Sequence, residues 1–91
     1  MEHACGPSIR LRYFAWVREK TGRAEEEVTV PVSIATIADL VQWLRDKGPE
    51  YEEAFRRPEI VRAAIDHAHV KPAAPIAGAR EIAFFPPVTG G

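Results

Sequence analysis

Between Thr36 and Pro49 the sequence reads TIADLVQWLRDKGP, and this stretch restricts the fold more than any other. Ile37, Leu40, Val41 and Leu44 recur at i, i+3, i+4 and i+7, which at about 100° per residue places them on one stripe of a helix. Asp39, Gln42 and Asp46 face away. Thr36 can cap the first turn, and Asp39 three positions later makes a variant of the capping box. Lys47, Gly48 and Pro49 supply a last-turn cation, a residue tolerant of a left-handed cap, and a stop. The pattern predicts a helix from Ile37 to Lys47 that is apolar on one side and needs one surface to lie on. Trp43, at the edge of the stripe, is expected to pack partly against the core.

The flanking segments alternate instead with a period of two. Ile9, Leu11 and Tyr13 are interleaved with Arg10, Arg12 and Phe14, the pattern of a strand with one buried face over Ile9 to Ala15. "AWVREKTG" reads as a polar connection. Val28 and Val30 alternate with Glu27 and Thr29 in a second strand that Pro31 closes. After the helix, "PEYEEAFRRPE" reads as an exposed connection with at most one irregular helical turn. The apolar run Ile60 to Ile65 predicts a buried strand, Asp66-His67 a turn, and Ala68 to Val70 a returning strand. "KPAAPIAGAR" is a loop that Ile76 can pin to the core. In a final strand, Glu81 to Phe85, Ile82 and Phe84 lie on one face, with Ala83 and Phe85 on the other. Strand, strand, helix, strand, strand, strand is most economically one mixed sheet with a single helix across one face, an α+β arrangement. The expected division is a leader over 1–8, a body over 9–85 and an extended tail over 86–91.

Ninety-one residues, 46% hydrophobic and 27% charged, suffice for one modest core and not for two. The formal net charge of −1 gives no electrostatic footprint for nucleic acid. No apolar run approaches the roughly 18 residues of a membrane span. "MEHACGPS" has neither a basic nor an apolar signal region, and the lone Cys5 has no internal disulfide partner. The expectation is a cytoplasmic protein that meets neither membrane nor nucleic acid. His67 and His69 have no third ligand at metal spacing, so no metal is assigned and both are read as surface side chains. No phosphate-binding loop, dinucleotide fingerprint or nucleophile elbow is present, and the body carries no catalytic constellation.

The chemistry is therefore expected in the tail, "FFPPVTGG". Pro86 and Pro87 have no backbone N–H, so a sheet ladder cannot continue through them, and they favour an extended chain. Six residues from Pro86 to Gly91 reach at most about 20 Å from the body. Gly90 and Gly91 lack side chains, so a terminal carboxylate can pass down a channel only as wide as a backbone. A carboxylate has no good leaving group. Its use as an acyl donor requires activation, typically as an acyl adenylate formed from ATP.

The chain resembles the small subunit of molybdopterin synthase, a sulfur carrier of the ubiquitin-like β-grasp superfamily. The likeness rests on "IRLRYFAWVRE" followed by "TG", with Phe14, Ala15, Arg18 and Glu19 in the family's turn, on the helix "IADLVQWL", and above all on "EIAFFPPVTGG". It implies that Gly91 is adenylated and then converted to a thiocarboxylate, and that Pro86, Pro87, Val88, Thr89 and Gly90 fit a tunnel in a partner. Phe84 or Phe85, whichever faces outward, would join an apolar docking surface. It further implies three partners: a large catalytic subunit, an ATP-dependent adenylating enzyme related to ubiquitin activators, and a sulfur donor protein. No tightly bound cofactor is implied, the adenylate and thiocarboxylate being covalent states of the chain. Where the family has Asp-Gly-Asp-Glu before its last strand this chain has Gly78-Ala79-Arg80-Glu81, and Asp66 stands where asparagine is common. Carriers for thiamine, cysteine synthesis or tRNA thiolation share the Gly-Gly end. A protein modifier or binding module is the alternative of a different class.

Overall fold

The computed structural model describes residues 5–87. Val88, Thr89, Gly90 and Gly91, and residues 1–4 of the expected leader, lie outside them. Five strands form one mixed sheet in the order β2-β1-β5-β3-β4: β1 (Cys5–Tyr13), β2 (Glu25–Pro31), β3 (Arg62–Ile65), β4 (Ala68–Val70) and β5 (Glu81–Phe85). β1 runs antiparallel to β2 and parallel to β5, while β3 runs antiparallel to both β5 and β4. The last strand in sequence therefore lies in the middle of the sheet. This is the ubiquitin-like β-grasp arrangement.

The predicted alternation sets which face is buried. Ile9, Leu11 and Tyr13 on β1, Val28 and Val30 on β2, Ala63 on β3, and Ile82 and Phe84 on β5 point into one continuous core. The long helix, α2 (Ile37–Arg45), contributes Ile37, Leu40, Val41 and Leu44 to it. Its capping box forms as the sequence implies. Thr36 Oγ1 accepts the Asp39 N–H at 3.1 Å, and the Asp39 carboxylate accepts the Thr36 N–H at 3.2 Å. Two more N–H groups of its first turn, on Ile37 and Ala38, donate to the carbonyls of Ala74 and Pro72, so the Pro-rich loop satisfies a helix end that would otherwise be orphaned. Ile76, 3% exposed, anchors that loop.

Four expectations are corrected. "AWVREKTG" contains a helix, α1 (Ala15–Thr21), which buries Val17 and Thr21 and ends on Gly22 at φ 80. That φ lies in the left-handed region glycine occupies without strain. "PEYEEAFRRPE" is exposed on one side only. It forms α3 (Pro49–Ala54), with proline in the first turn, and buries Tyr51, Ala54 and Phe55, an i, i+3, i+4 set. Gly48, at φ 172, is extended rather than left-handed and begins α3. Finally, β1 starts at Cys5 and pairs with Pro31 before a register shift ahead of Ser8, so residues 5–8 belong to the sheet and not to a leader. Gly6 is required there, because a Cβ would lie 2.1 Å from the Val30 carbonyl oxygen. Among the described residues, the one expected helix thus becomes three.

Candidate functional site at the base of the tail

Where the tail leaves the body is fixed by the parallel β1–β5 pair. Tyr13 and Phe84 are in register, and the Phe14 N–H donates to the Phe84 carbonyl at 3.1 Å. Beyond Phe85 come Pro86 and Pro87, half-buried and outside any strand. With no N–H to offer, they end the ladder in mid-sheet. The tail starts between the end of β1 and the start of β3, where Arg62 pairs with Phe85.

The two phenylalanines separate by face. Phe84 is 0% exposed. Its ring stacks on Tyr13 at 6.2 Å and meets Phe55 edge-on at 5.1 Å, so it is core and leaves the expected docking pair. Phe85 lies on the outward face, partly exposed. Of the remaining expected site residues, Pro86 and Pro87 stand at the tail base, whereas Val88, Thr89, Gly90 and Gly91 fall outside the described residues.

Around Phe85 the outward face carries residues that motif reading passed over. Phe14, 41% exposed, lies beside the tail base, with the Arg12 guanidinium 5.3 Å from its ring centroid. Arg12 also reaches Glu81 at 3.7 Å and Glu25 at 3.8 Å. From the other side His69 packs its ring against Phe85, centroids 5.1 Å apart. Arg12, Phe14, Ala64, His67, His69, Glu81, Ala83 and Phe85 together line a shallow hollow of about 310 Å³. The signal for Phe14 was in the sequence: it is the one apolar member of the outward set Arg10, Arg12, Phe14.

The substituted loop before β5 keeps a defined turn. Asp66 and His67 both have positive φ, 48° and 75°, as a two-residue hairpin of the right twist requires. The Asp66 carboxylate accepts the N–H groups of Arg80 at 3.2 Å and Glu81 at 2.9 Å. Gly78, at φ 81, makes the preceding bend, and Ala79 is buried. The β3–β4 turn thus holds the entry to the strand that carries the tail.

A sequence model described as the ThiS family matches residues 11–91. The chain belongs to the ThiS family. Within that setting it is 32% identical over 83 residues to the molybdopterin synthase sulfur carrier subunit of Escherichia coli K12, covering 91% of this chain and 99% of the relative. Two solved structures share the fold. The small archaeal modifier protein 1 of Haloferax volcanii superposes with a TM-score of 0.69 at 21% identity, over 91% of this chain and all of that one. The Haloferax volcanii HVO 2177 protein gives 0.73 at 21% identity, over all of this chain and 92% of that one. No described helix of this ThiS-family chain is long and apolar enough to cross a membrane.

Proposed function

We propose that the chain is the sulfur carrier subunit of a molybdopterin synthase. The observation that carries the reading is the likeness, over 91% of this chain and 99% of the relative, to a carrier subunit of that enzyme, joined to a sheet whose central strand runs into Pro86-Pro87 and the sequence Val-Thr-Gly-Gly. The Gly91 carboxylate attacks the α-phosphorus of ATP on an adenylating enzyme, giving an acyl adenylate and releasing pyrophosphate. A hydrosulfide-level sulfur from a donor protein then attacks the acyl carbon, AMP leaves, and a proton is lost to give the thiocarboxylate. The thiocarboxylate sulfur attacks a carbon of the pterin precursor on a large catalytic subunit, displacing an oxygen leaving group to give a thioester, and water then cleaves the acyl–sulfur bond, leaving the sulfur on the pterin and regenerating the Gly91 carboxylate. Pro86, Pro87, Val88, Thr89 and Gly90 thread that subunit's tunnel, while Phe85 and Phe14 form an apolar seat at the entrance. Cytoplasmic ATP is the natural source of the activating nucleotide.

The second reading, a protein modifier joined through Gly91 to lysines, is favoured by the fold shared with a small archaeal modifier protein. Intact mass after incubation with ATP, an adenylating enzyme and a sulfur donor separates the two. Replacement of one oxygen by one sulfur is expected. A gain equal to a second protein would establish the modifier instead.

A further inference from the structure

The two edges of the sheet are not equivalent. β4 is three residues long, Ala68–Val70, and runs into Lys71 and Pro72, a short edge stopped by a cation and by a residue without an N–H. β2, at the other edge, has seven residues, Glu25–Pro31, with no proline before the last. Its register on β1 decides which backbone groups are spent. The Tyr13 N–H donates to the Ala24 carbonyl at 2.9 Å, and Leu11 lies opposite Glu26 and Ile9 opposite Val28. Hydrogen-bonded pairs alternate along an antiparallel ladder, so Ala24, Glu26 and Val28 turn their backbone groups to β1. The N–H and C=O groups of Glu25, Glu27 and Thr29 point past the edge, and among the described residues no turn, loop or cap hydrogen bond takes them up.

The side chains along this edge differ by face. On the outer face Glu25 and Glu27 are exposed and lie opposite Arg12 and Arg10 of β1, so a basic row is followed by an acidic one. Glu25 reaches Arg12 at 3.8 Å, and Glu27 accepts the Ser8 hydroxyl at 2.7 Å. On their far side the sheet ends, and neither acid has a cross-strand neighbour there among the described residues. On the helix side the edge meets an apolar ledge. The Tyr51 hydroxyl donates to Glu26 of β2 at 2.7 Å, the Lys47 ammonium lies over the rings of both Tyr51 and Trp43, and Trp43 and Ile34 line a shallow hollow of about 290 Å³. Val32, directly after β2, is 68% exposed.

We propose that the β2 edge takes up an extended segment of a partner protein as an added strand, one in which basic and apolar residues alternate. The pleat sets that alternation. Partner positions opposite Glu25 and Glu27 fall on the outer face, where Lys or Arg gives each acid a second basic neighbour, and opposite charges paired across strands are favourable. Positions opposite Glu26 and Val28 fall on the helix side, where an apolar side chain covers the ledge of Trp43 and Ile34. Main-chain hydrogen bonds supply affinity and the alternate side chains selectivity. A second copy of this chain is the wrong occupant. Antiparallel pairing of β2 with itself sets Glu27 against Glu27 when centred on Glu27, and Glu25 against Glu27 when centred on Glu26, and like charges directly opposite are destabilising. β1 separates β2 from β5, so the edge lies roughly 10 Å from the strand that carries the tail and can be occupied while the tail is engaged elsewhere. The proposal does not rest on the chemistry of Gly91.

The probe is a capped peptide of alternating Lys and Val, matched to the seven residues of β2, with its Glu-Val counterpart as the control, each added in excess to the full chain. Amide hydrogen exchange, read residue by residue by NMR, is expected to slow about tenfold at Glu25, Glu27 and Thr29 with the Lys-Val peptide, because those amides gain partners, and to stay unchanged at Glu26 and Val28. The Glu-Val peptide is expected to protect none of them. Glu25→Gln/Glu27→Gln, with circular dichroism as the control for folding, should remove the discrimination between the two peptides. No protection by the Lys-Val peptide on the wild-type chain, equal protection by both peptides, or shifts of the glutamate side chains without slowed amides would overturn the proposal.

Discussion

Phe84 and Phe85 are adjacent and chemically identical, yet the pleat gives them opposite work. Phe84 closes an aromatic trio with Tyr13 and Phe55, so Phe84→Ala is expected to cost about 3 to 5 kcal/mol of stability. On the proposed reading, Phe85→Ala should leave the unfolding midpoint nearly unchanged while weakening binding to the large subunit by on the order of 2 kcal/mol, as for an anchor at an interface. Denaturant titration and a binding isotherm on both variants check the division. A second residue-scale feature is Glu26, whose Oε2 accepts the hydroxyls of Tyr13 and Tyr51, both at 2.7 Å, with the Arg23 guanidinium donating to the Tyr51 oxygen. Burial first, and then the Glu26 carboxylate, raise both phenols, Tyr51 to about 12 and Tyr13 further. Because the folded state holds these protons more tightly than the unfolded chain, the stabilisation is fully present below about pH 10 and is lost as pH rises above it. Denaturation measured from pH 8 to 12 should show that decline, and Tyr51→Phe should make it shallower. A decline of unchanged slope would contradict the assignment.

At the scale of elements, the start and the buried stripe of α2 were legible because the capping box and the period agree with one another, while its end, expected at Lys47, falls at Arg45 because Gly48 caps the start of α3 instead. Leu40→Ala, at its buried centre, is expected to cost about 2 to 5 kcal/mol, and an unchanged melting curve would refute that placement. The short helices were hidden for a physical reason. In α3 the apolar set Tyr51, Ala54, Phe55 is embedded among Glu50, Glu52, Glu53, Arg56 and Arg57, and six residues are too few to show a period. Tertiary packing makes this helix: Phe55 reaches Tyr13 and Phe84, and Arg45 of α2 grips Glu52 with two hydrogen bonds of 3.0 Å. In α1 only Val17 and Thr21 are fully buried, with Trp16 packed partly against the core, and the chain enters it through Ala15 at φ 53, which no residue type announces. The faces of β1, β2 and β5 were readable from alternation, including those of Ala83 and Phe85, whereas the apolar run Ile60 to Ile65 yields a strand only from Arg62, after a turn of 3-10 helix over Pro58–Ile60. The hollow at the tail base was readable only in part. Phe85 stood out by its place before two prolines, whereas His69 joins it through a pairing of β3 with β4 and β5 that spacing cannot supply.

For the whole molecule, the proposed reading separates a stable body, the sheet and its helices, from a reactive end. β5 is held on one side by β1 and on the other by β3, so a load on the tail is borne by the centre of the sheet. On the proposed reading the carrier must visit an adenylating enzyme and a large subunit in turn, and each must receive the same carboxyl carbon at the end of the same stem. The account stands or falls on the position of that carbon. Adding one residue after Gly91 moves it by about 3.5 Å, and a misplacement of about 1 Å can cost a hundredfold in a positioned reaction. The decisive measurement is sulfur transfer to the pterin precursor by a chain extended by one residue beyond Gly91, with circular dichroism as the control for folding. The account predicts a native spectrum and no transfer. Full transfer from the extended chain would contradict it.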